Sequence, residues 1–373
     1  MSTDKRCPVT SNTSLLVRKL NKHGFIISCS TWIKRLLRTK EATVEHPFRA
    51  SRQVFGKTIL DSDGEDHTRI RKLLIPHMGK QHIDILTEST IIPIIEQVWL
   101  DAHKIPAFEF QSGIAERIPL KITLAWMGIS DSLEPWFLKK LQPVVAFLDD
   151  PNQSLAIAYS AREEMEAFFR ELYAKSTFKS THLCGVLYNH YQNSAISHTE
   201  LIQTSTLMVA AGFATTAYTI STLMVRILEN QEWLDRHKND QAALEGFVLE
   251  TLRLYPPLQE TIRFATETLE IENIQIPKGS LLVLSLADAN RNEKLHEEAS
   301  NWCPMRKNKQ SFSFGDGSHS CLGSIVALSQ LNIFLRHVIP LLSRLEPLEH
   351  LPKSLYGHAF FKHTPFLLRW KSL

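Results

Sequence analysis

Apolar residues recur at three- and four-residue spacing over 66–78, 84–103, 159–174, 199–229, 241–254 and 322–338, and this predicts helices there. The helix over 241–254 stops at Tyr255-Pro256-Pro257. Pro256 turns Tyr255 away from helical backbone, and neither proline can donate a backbone hydrogen bond. Beyond that point the pattern changes to short β-rich runs over 261–265, 269–276 and 280–286, with Pro277-Lys278-Gly279 as a turn and 366–370 as a last strand. The irregular stretch 301–320 lies between two patterned regions and runs into three glycines around a cysteine. A loop of that length inside a compact fold is expected to carry function. The chain therefore reads as mainly α with a small β portion, a single domain over 1–373, without repeats or linkers.

Residues 201–225 carry no charge and are long enough to cross a bilayer. Nine of them are Thr, Ser or Gln. Lipid offers such groups no partner, whereas a buried helix lets hydroxyls bond preceding carbonyls. The expectation is a long helix through a soluble protein, with no stable membrane insertion. Lys and Arg total 42 against 39 Asp and Glu, and a net charge of +3 is no footprint for nucleic acid. With 43% apolar and 22% charged residues the composition is globular, which excludes a disordered chain. Cys7, Cys29, Cys184, Cys303 and Cys321 form no Cys-x-x-Cys pair, so neither a disulfide framework nor a zinc site is expected. A reducing, cytoplasmic setting fits. Residues 24–32 are mildly apolar, but Lys34, Arg35, Arg38 and Lys40 follow without a cleavage site, so no secretory signal is read there. The basic helix over 32–40 reads as a solvated face.

The densest chemistry is Phe314-Gly315-Asp316-Gly317-Ser318-His319-Ser320-Cys321-Leu322-Gly323, followed at once by an apolar helix. Glycines let bare backbone approach a flat ligand, and a helix N-terminus favours a thiolate. A cysteine held this way suits an iron ligand that pushes electron density onto the metal. Elsewhere, Glu250 and Arg253 stand three apart on one helix face and can pair. His67 and Arg71 stand four apart on another helix, with Arg69 and Lys72 pointing elsewhere.

The cysteine segment matches, at every position, the haem-ligand signature of the cytochrome P450 family, Phe-x-x-Gly-x-His/Arg-x-Cys-x-Gly. On these residues the chain resembles that family, and the resemblance runs from about residue 61 to 370. It implies the family's fold, haem b bound through Cys321, and a cofactor-binding loop that includes Phe314 and Gly323. It implies that Glu250 and Arg253 form a buried charge network with Arg306, 15 residues ahead of the cysteine. His67, Arg71, Arg263 and His319 fall on its propionate ligands. Ala289-Asn290-Arg291-Asn292 resembles the family's Ala-Asn-Arg-Asp stretch, with Asn in place of the acid.

Ala211-Gly212-Phe213-Ala214-Thr215-Thr216 resembles the family's oxygen-activating helix, with Thr215 on its threonine. Ala214 replaces the usual acid there, and alanine cannot relay a proton. The implied reaction is oxygen insertion, or a related oxidation, on a small apolar organic molecule. It uses O2 and electrons from a separate ferredoxin-type donor, for which Arg69, Lys72 and Lys309 are plausible contacts. The alternatives are a non-standard haem reaction, such as peroxide use, isomerisation or dehydration, and a catalytically idle haem protein. The expected pocket draws on Ala211, Phe213, Leu258, Ile262, Phe360 and Phe361. With only 25–28 strand-like ahead of His67, the N-terminal β-sheet is expected to be trimmed.

Overall fold

A computed structural model describes residues 16–175 and 178–371 of the chain. The chain divides into two compact units. One takes the residues up to Val44 together with Tyr218–Ser324 and the residues from Phe334 onward; the other takes Glu45–Ala217 and Ile325–Ile333.

The first unit is built on a five-stranded sheet in the order Val17–Asn21, Gly24–Ile27, Leu281–Ser285, Glu260–Ala265, Ala42–Thr43. Gly24–Ile27 runs parallel to Leu281–Ser285, and the other pairings are antiparallel. The N-terminal sheet is therefore not trimmed. The strand missed in the sequence, Val17–Asn21, is buried only at Val17 and exposed at its other four positions. As a charged edge strand it has no apolar alternation to read, and its Arg18 and Lys19 suit an edge that must not recruit another strand. The helix Ser30–Arg38 buries Ile33, Leu36 and Leu37 in one core with Phe25, Ile27, Leu282 and Leu284. Residues 269–276 are two strands rather than one. Glu272 and Asn273 adopt φ of +50° and +64° and turn Leu269–Ile271 back onto Ile274–Ile276.

The second unit is helical. Its helices include Gly64–Met78, Arg117–Met127, Glu134–Asp149 and Leu155–Lys175. The pattern reading passed over Arg117–Met127 and Glu134–Asp149, which contain Pro119 and Pro143. Proline is tolerated in a first turn, as at Pro119, and a buried context overrides it at Pro143. Phe137, Phe168, Phe169, Tyr173 and Tyr188 pack ring against ring through this unit at centroid distances of 5.2 to 6.3 Å.

The helix His198–Glu229 runs unbroken for 32 residues. Its most apolar stretch is 78% buried, as expected of a core helix, and its hydroxyls do bond back: Thr206 to Ile202 at 3.0 Å and Thr222 to Tyr218 at 3.0 Å. By length and composition alone this helix and Ser324–Arg344 could each cross a membrane. The second was not singled out in the sequence, and its apolar window is only 39% buried.

Candidate active site

Cys321 sits in a loop whose shape is dictated by its own backbone. Gly315 N–H donates to the Phe312 carbonyl at 2.8 Å, and Cys321 N–H donates to that of Phe314 at 2.7 Å. Gly315 and Gly317 adopt φ of +67° and +71°, a region that side chains other than glycine's rarely enter. At Gly317 there is a second reason for glycine. A Cβ there would lie 2.1 Å from the Leu37 carbonyl oxygen, because the helix Ser30–Arg38 ends against the loop. Arg38 then pairs with Asp316 at 2.9 Å, and Asp316 accepts the Gly317 N–H at 2.7 Å.

The loop is also held from behind. Asn290, fully buried, accepts the Phe312 N–H at 2.6 Å and donates to the Ser313 hydroxyl at 2.9 Å. Ser313 in turn donates to the Leu252 carbonyl at 2.7 Å. Asn290 lay inside a motif noticed in the sequence, but nothing in its spacing showed that it grips the loop.

Cys321 alone among the four described cysteines is exposed. Phe314 and His319 are half-buried, and Gly323 leads directly into the apolar helix Ser324–Val338. An exposed cysteine, two left-handed glycines and an apolar helix half-buried over much of its length fit an iron porphyrin. The thiolate would supply a soft ligand to the iron, and the apolar helix face would suit a flat hydrophobic ring.

Glu250, Arg253 and Arg306 come together as expected. Arg253, 1% exposed, donates to both carboxylate oxygens of Glu250 at 2.8 Å and to the Asn290 and Ala299 carbonyls at 2.7 and 2.6 Å. Arg306 reaches Glu250 at 3.3 Å and the Asn301 carbonyl at 3.0 Å, while the Cys303 N–H donates to Glu250 at 2.9 Å. Burial opposes ionisation of Glu250, but the Arg253 bonds and charge, then Cys303 and Arg306, hold its carboxyl below the usual range. This network ties the turn before the prolines to residues 299–306, the approach to the cysteine loop.

The expected propionate ligands divide between the units. Arg263 is 5% exposed on its strand and donates to the Thr261 hydroxyl at 3.0 Å and the Ile262 carbonyl at 2.9 Å. His319 lies in the cysteine loop. In the second unit, His67 is buried and Arg71 half-buried, one turn apart on Gly64–Met78. Arg69 on the same helix pairs with Glu200 and donates to the Ala195 carbonyl at 2.7 Å, so it is not a loose docking cation. Lys72 and Lys309 are exposed.

On the long helix, Ala211 is exposed and Met208, Gly212 and Thr215 are half-buried, although the turns on either side are buried. These residues share one face by helical spacing, and that face is open. Thr215 sits on it, its hydroxyl donating to the Ala211 carbonyl at 3.4 Å. Phe213 and Ala214 are buried at 4% and 3%, so neither lies on the open face. Adjacency in a motif says nothing about which side of a helix a residue takes.

The other pocket residues lie in the first unit. Leu258 and Phe360 form a β-bridge, and Phe361 N–H donates to the Pro257 carbonyl at 2.9 Å. Ile262 alternates with Thr261 and Arg263 and so points to the opposite face of the strand from them.

The family model for cytochrome P450 matches residues 156–365, more than half of the chain and a stretch that holds Thr215, Glu250, Arg253, Arg306 and Cys321. Cytochrome P450 107B1 of Saccharopolyspora erythraea is 28% identical over 285 residues, 74% of this chain and 68% of the relative. The beta-dihydromenaquinone-9 omega-hydroxylase of Mycobacterium tuberculosis is 24% identical over 298 residues, 77% of this chain but only 60% of the relative's length. The crystal structure of CYP109E1 from Bacillus megaterium, in complex with testosterone, superimposes with a TM-score of 0.86, covering 96% of this chain and 95% of that one at 19% identity. A shared fold, a matched family model and a cysteine loop built from the same residues lead to one conclusion: the chain belongs to the cytochrome P450 family.

Proposed function

We propose that this chain inserts oxygen into a small apolar organic molecule, using O2 and electrons delivered by a separate ferredoxin-type protein. Members of the family are oxidoreductases of monooxygenase type, and their cofactor is haem b. Bound haem supplies the oxidising chemistry. Cys321 is the residue that holds its iron, and the exposed thiol in its glycine-shaped loop is the observation that carries this reading. Phe314 and Gly323 are the loop residues that would line the haem. The nearby helix N-terminus favours ionised sulfur. His67, Arg71, Arg263 and His319 hold the two propionates, since anions taken out of water need charged donors.

Thr215, on the open face of the long helix, orients a water or hydroxyl at the reaction site. Ala214 offers no carboxylate, so protons reach that site by another path. An apolar substrate is supported by the open face of the long helix, which carries Met208 and Ala211. The dihydromenaquinone hydroxylase and the testosterone-bound neighbour, both named for apolar molecules, support the same class. A cytoplasmic setting is supported by the unbridged thiols of Cys29, Cys184 and Cys303.

The carbon monoxide difference spectrum of the reduced protein tests the reading. A thiolate-type band that Cys321→Ser abolishes is expected; a histidine-type band, or a band that survives the substitution, overturns it. Ala214 favours a second reading, in which the same haem site uses peroxide directly or runs a non-oxygenase reaction such as isomerisation or dehydration. Turnover with redox partners and O2, set against turnover with peroxide alone, separates the two.

A further inference from the structure

The C-terminal hairpin holds a cation that the proposed reaction does not use. Its strands Leu355–Tyr356 and Lys362–His363 pair antiparallel, and its tip is pinned by the Leu258–Phe360 bridge and by Gln259 N–H donating to the Ala359 carbonyl at 3.1 Å. Lys362 is half-buried, with its ammonium 5.2 Å from the Tyr218 ring centroid and 5.3 Å from that of Tyr356. Tyr218 also meets Phe360, at 6.4 Å between rings. Among the described residues the Lys362 ammonium has no ion pair and no hydrogen bond; two aromatic faces are all that it meets.

Among the described residues no carboxylate pairs with it. Glu229 is taken by Arg226 on the same helix, and Arg226 also stacks on Tyr255 and Trp302. Glu260, the acid on the neighbouring strand, is mostly buried beside Asp288 and His358. His363 is buried and lies within reach of the Arg226 charge. Aromatic faces attract an ammonium but give only part of what a carboxylate gives.

We propose that Lys362 is a specificity residue that receives an anionic group, such as a carboxylate, at one end of an otherwise apolar substrate. The inference rests on the proposed function, because Tyr218 lies within one turn of Thr215 and Phe360 belongs to the expected pocket. It narrows the substrate class from apolar molecules to apolar organic anions.

The test uses the haem-loaded protein and matched pairs: octanoate, dodecanoate, hexadecanoate and 4-phenylbutyrate, each against its methyl ester, with binding read by titration calorimetry. At least one acid is expected to bind about tenfold or more tighter than its ester, a factor worth 1.4 kcal/mol. Lys362→Met is expected to erase that preference while leaving the ester's affinity within about twofold, and Lys362→Arg to keep it. If Lys362→Met does not hold haem, Lys362→Gln replaces it, and the wild-type preference must also shrink with added salt. The proposal is overturned if no acid is preferred over its ester, or if the preference survives loss of the ammonium. The carbon monoxide band, recorded on the same samples, fails independently if the haem-thiolate reading is wrong.

Discussion

Replacing Glu250 by Gln strands two cations at once. Arg253 is 1% exposed and loses both 2.8 Å bonds to a carboxylate, keeping only carbonyl acceptors; Arg306, with its side chain 10% exposed, loses its 3.3 Å contact. Removing one partner of such a buried network costs about 3–5 kcal/mol, because the remaining charge stays buried without compensation. Total stability of a folded protein is about 5–15 kcal/mol, so this is a large fraction of it. At roughly 2 °C per kcal/mol for a chain of this size, the melting midpoint is expected to fall by ~6–10 °C. The assay is thermal loss of the Soret band in purified holoprotein, with Asp84→Asn as the control. Asp84 pairs with Lys80 at 2.9 Å, but both side chains are more than half exposed, and such pairs contribute only ~0.3–0.5 kcal/mol. A Glu250→Gln midpoint no lower than that of Asp84→Asn would refute the claim that this network holds the approach to the loop. The double variant Glu250→Gln/Arg253→Met should recover part of the loss, since no cation is then left facing an absent acid at position 253.

Gly317→Ala should abolish haem incorporation, judged by the Soret-to-protein absorbance ratio. Gly279→Ala, at a comparable φ of +81° but with open space around it, should keep haem and cost only ~1–2 kcal/mol. Asn290→Ala leaves the buried Phe312 N–H unpaired and should lower stability by ~1–3 kcal/mol while broadening the carbon monoxide band; an unchanged band means Asn290 does not shape the loop. Burial, with the Arg226 charge, lowers the pKa of His363 to about 4 from an ordinary 6.5. Between those values the unfolded chain binds the proton and the folded one does not. Stability should therefore fall by up to about 1.4 kcal/mol per unit as the pH drops from 6.5 toward 4. His363→Gln should flatten that slope in acid denaturation.

The parts of the fold that were legible share a local cause. Helices such as 241–254 announce themselves through spacing and a proline stop, and the cysteine loop through glycines that its own backbone requires. The edge strand Val17–Asn21 was hidden because its partner lies on one side only and its side chains mostly meet water. Phe213 is buried beside the half-buried Thr215 because a motif lists neighbours in sequence, whereas a helix deals them to different faces. Asn290 and Lys362 act through residues that are remote along the chain, and no window of sequence shows whom a side chain will meet.

The Arg38–Asp316 pair closes a sequence separation of 278 residues, and it does so at the loop that carries Cys321. Local turns can form within microseconds, but joining such distant segments carries the full entropy of loop closure and slows folding. A nascent chain therefore cannot close this contact until residue 316 has been made and has met the helix Ser30–Arg38. The loop that would hold the prosthetic group is shaped only after the segments far apart along the chain have come together.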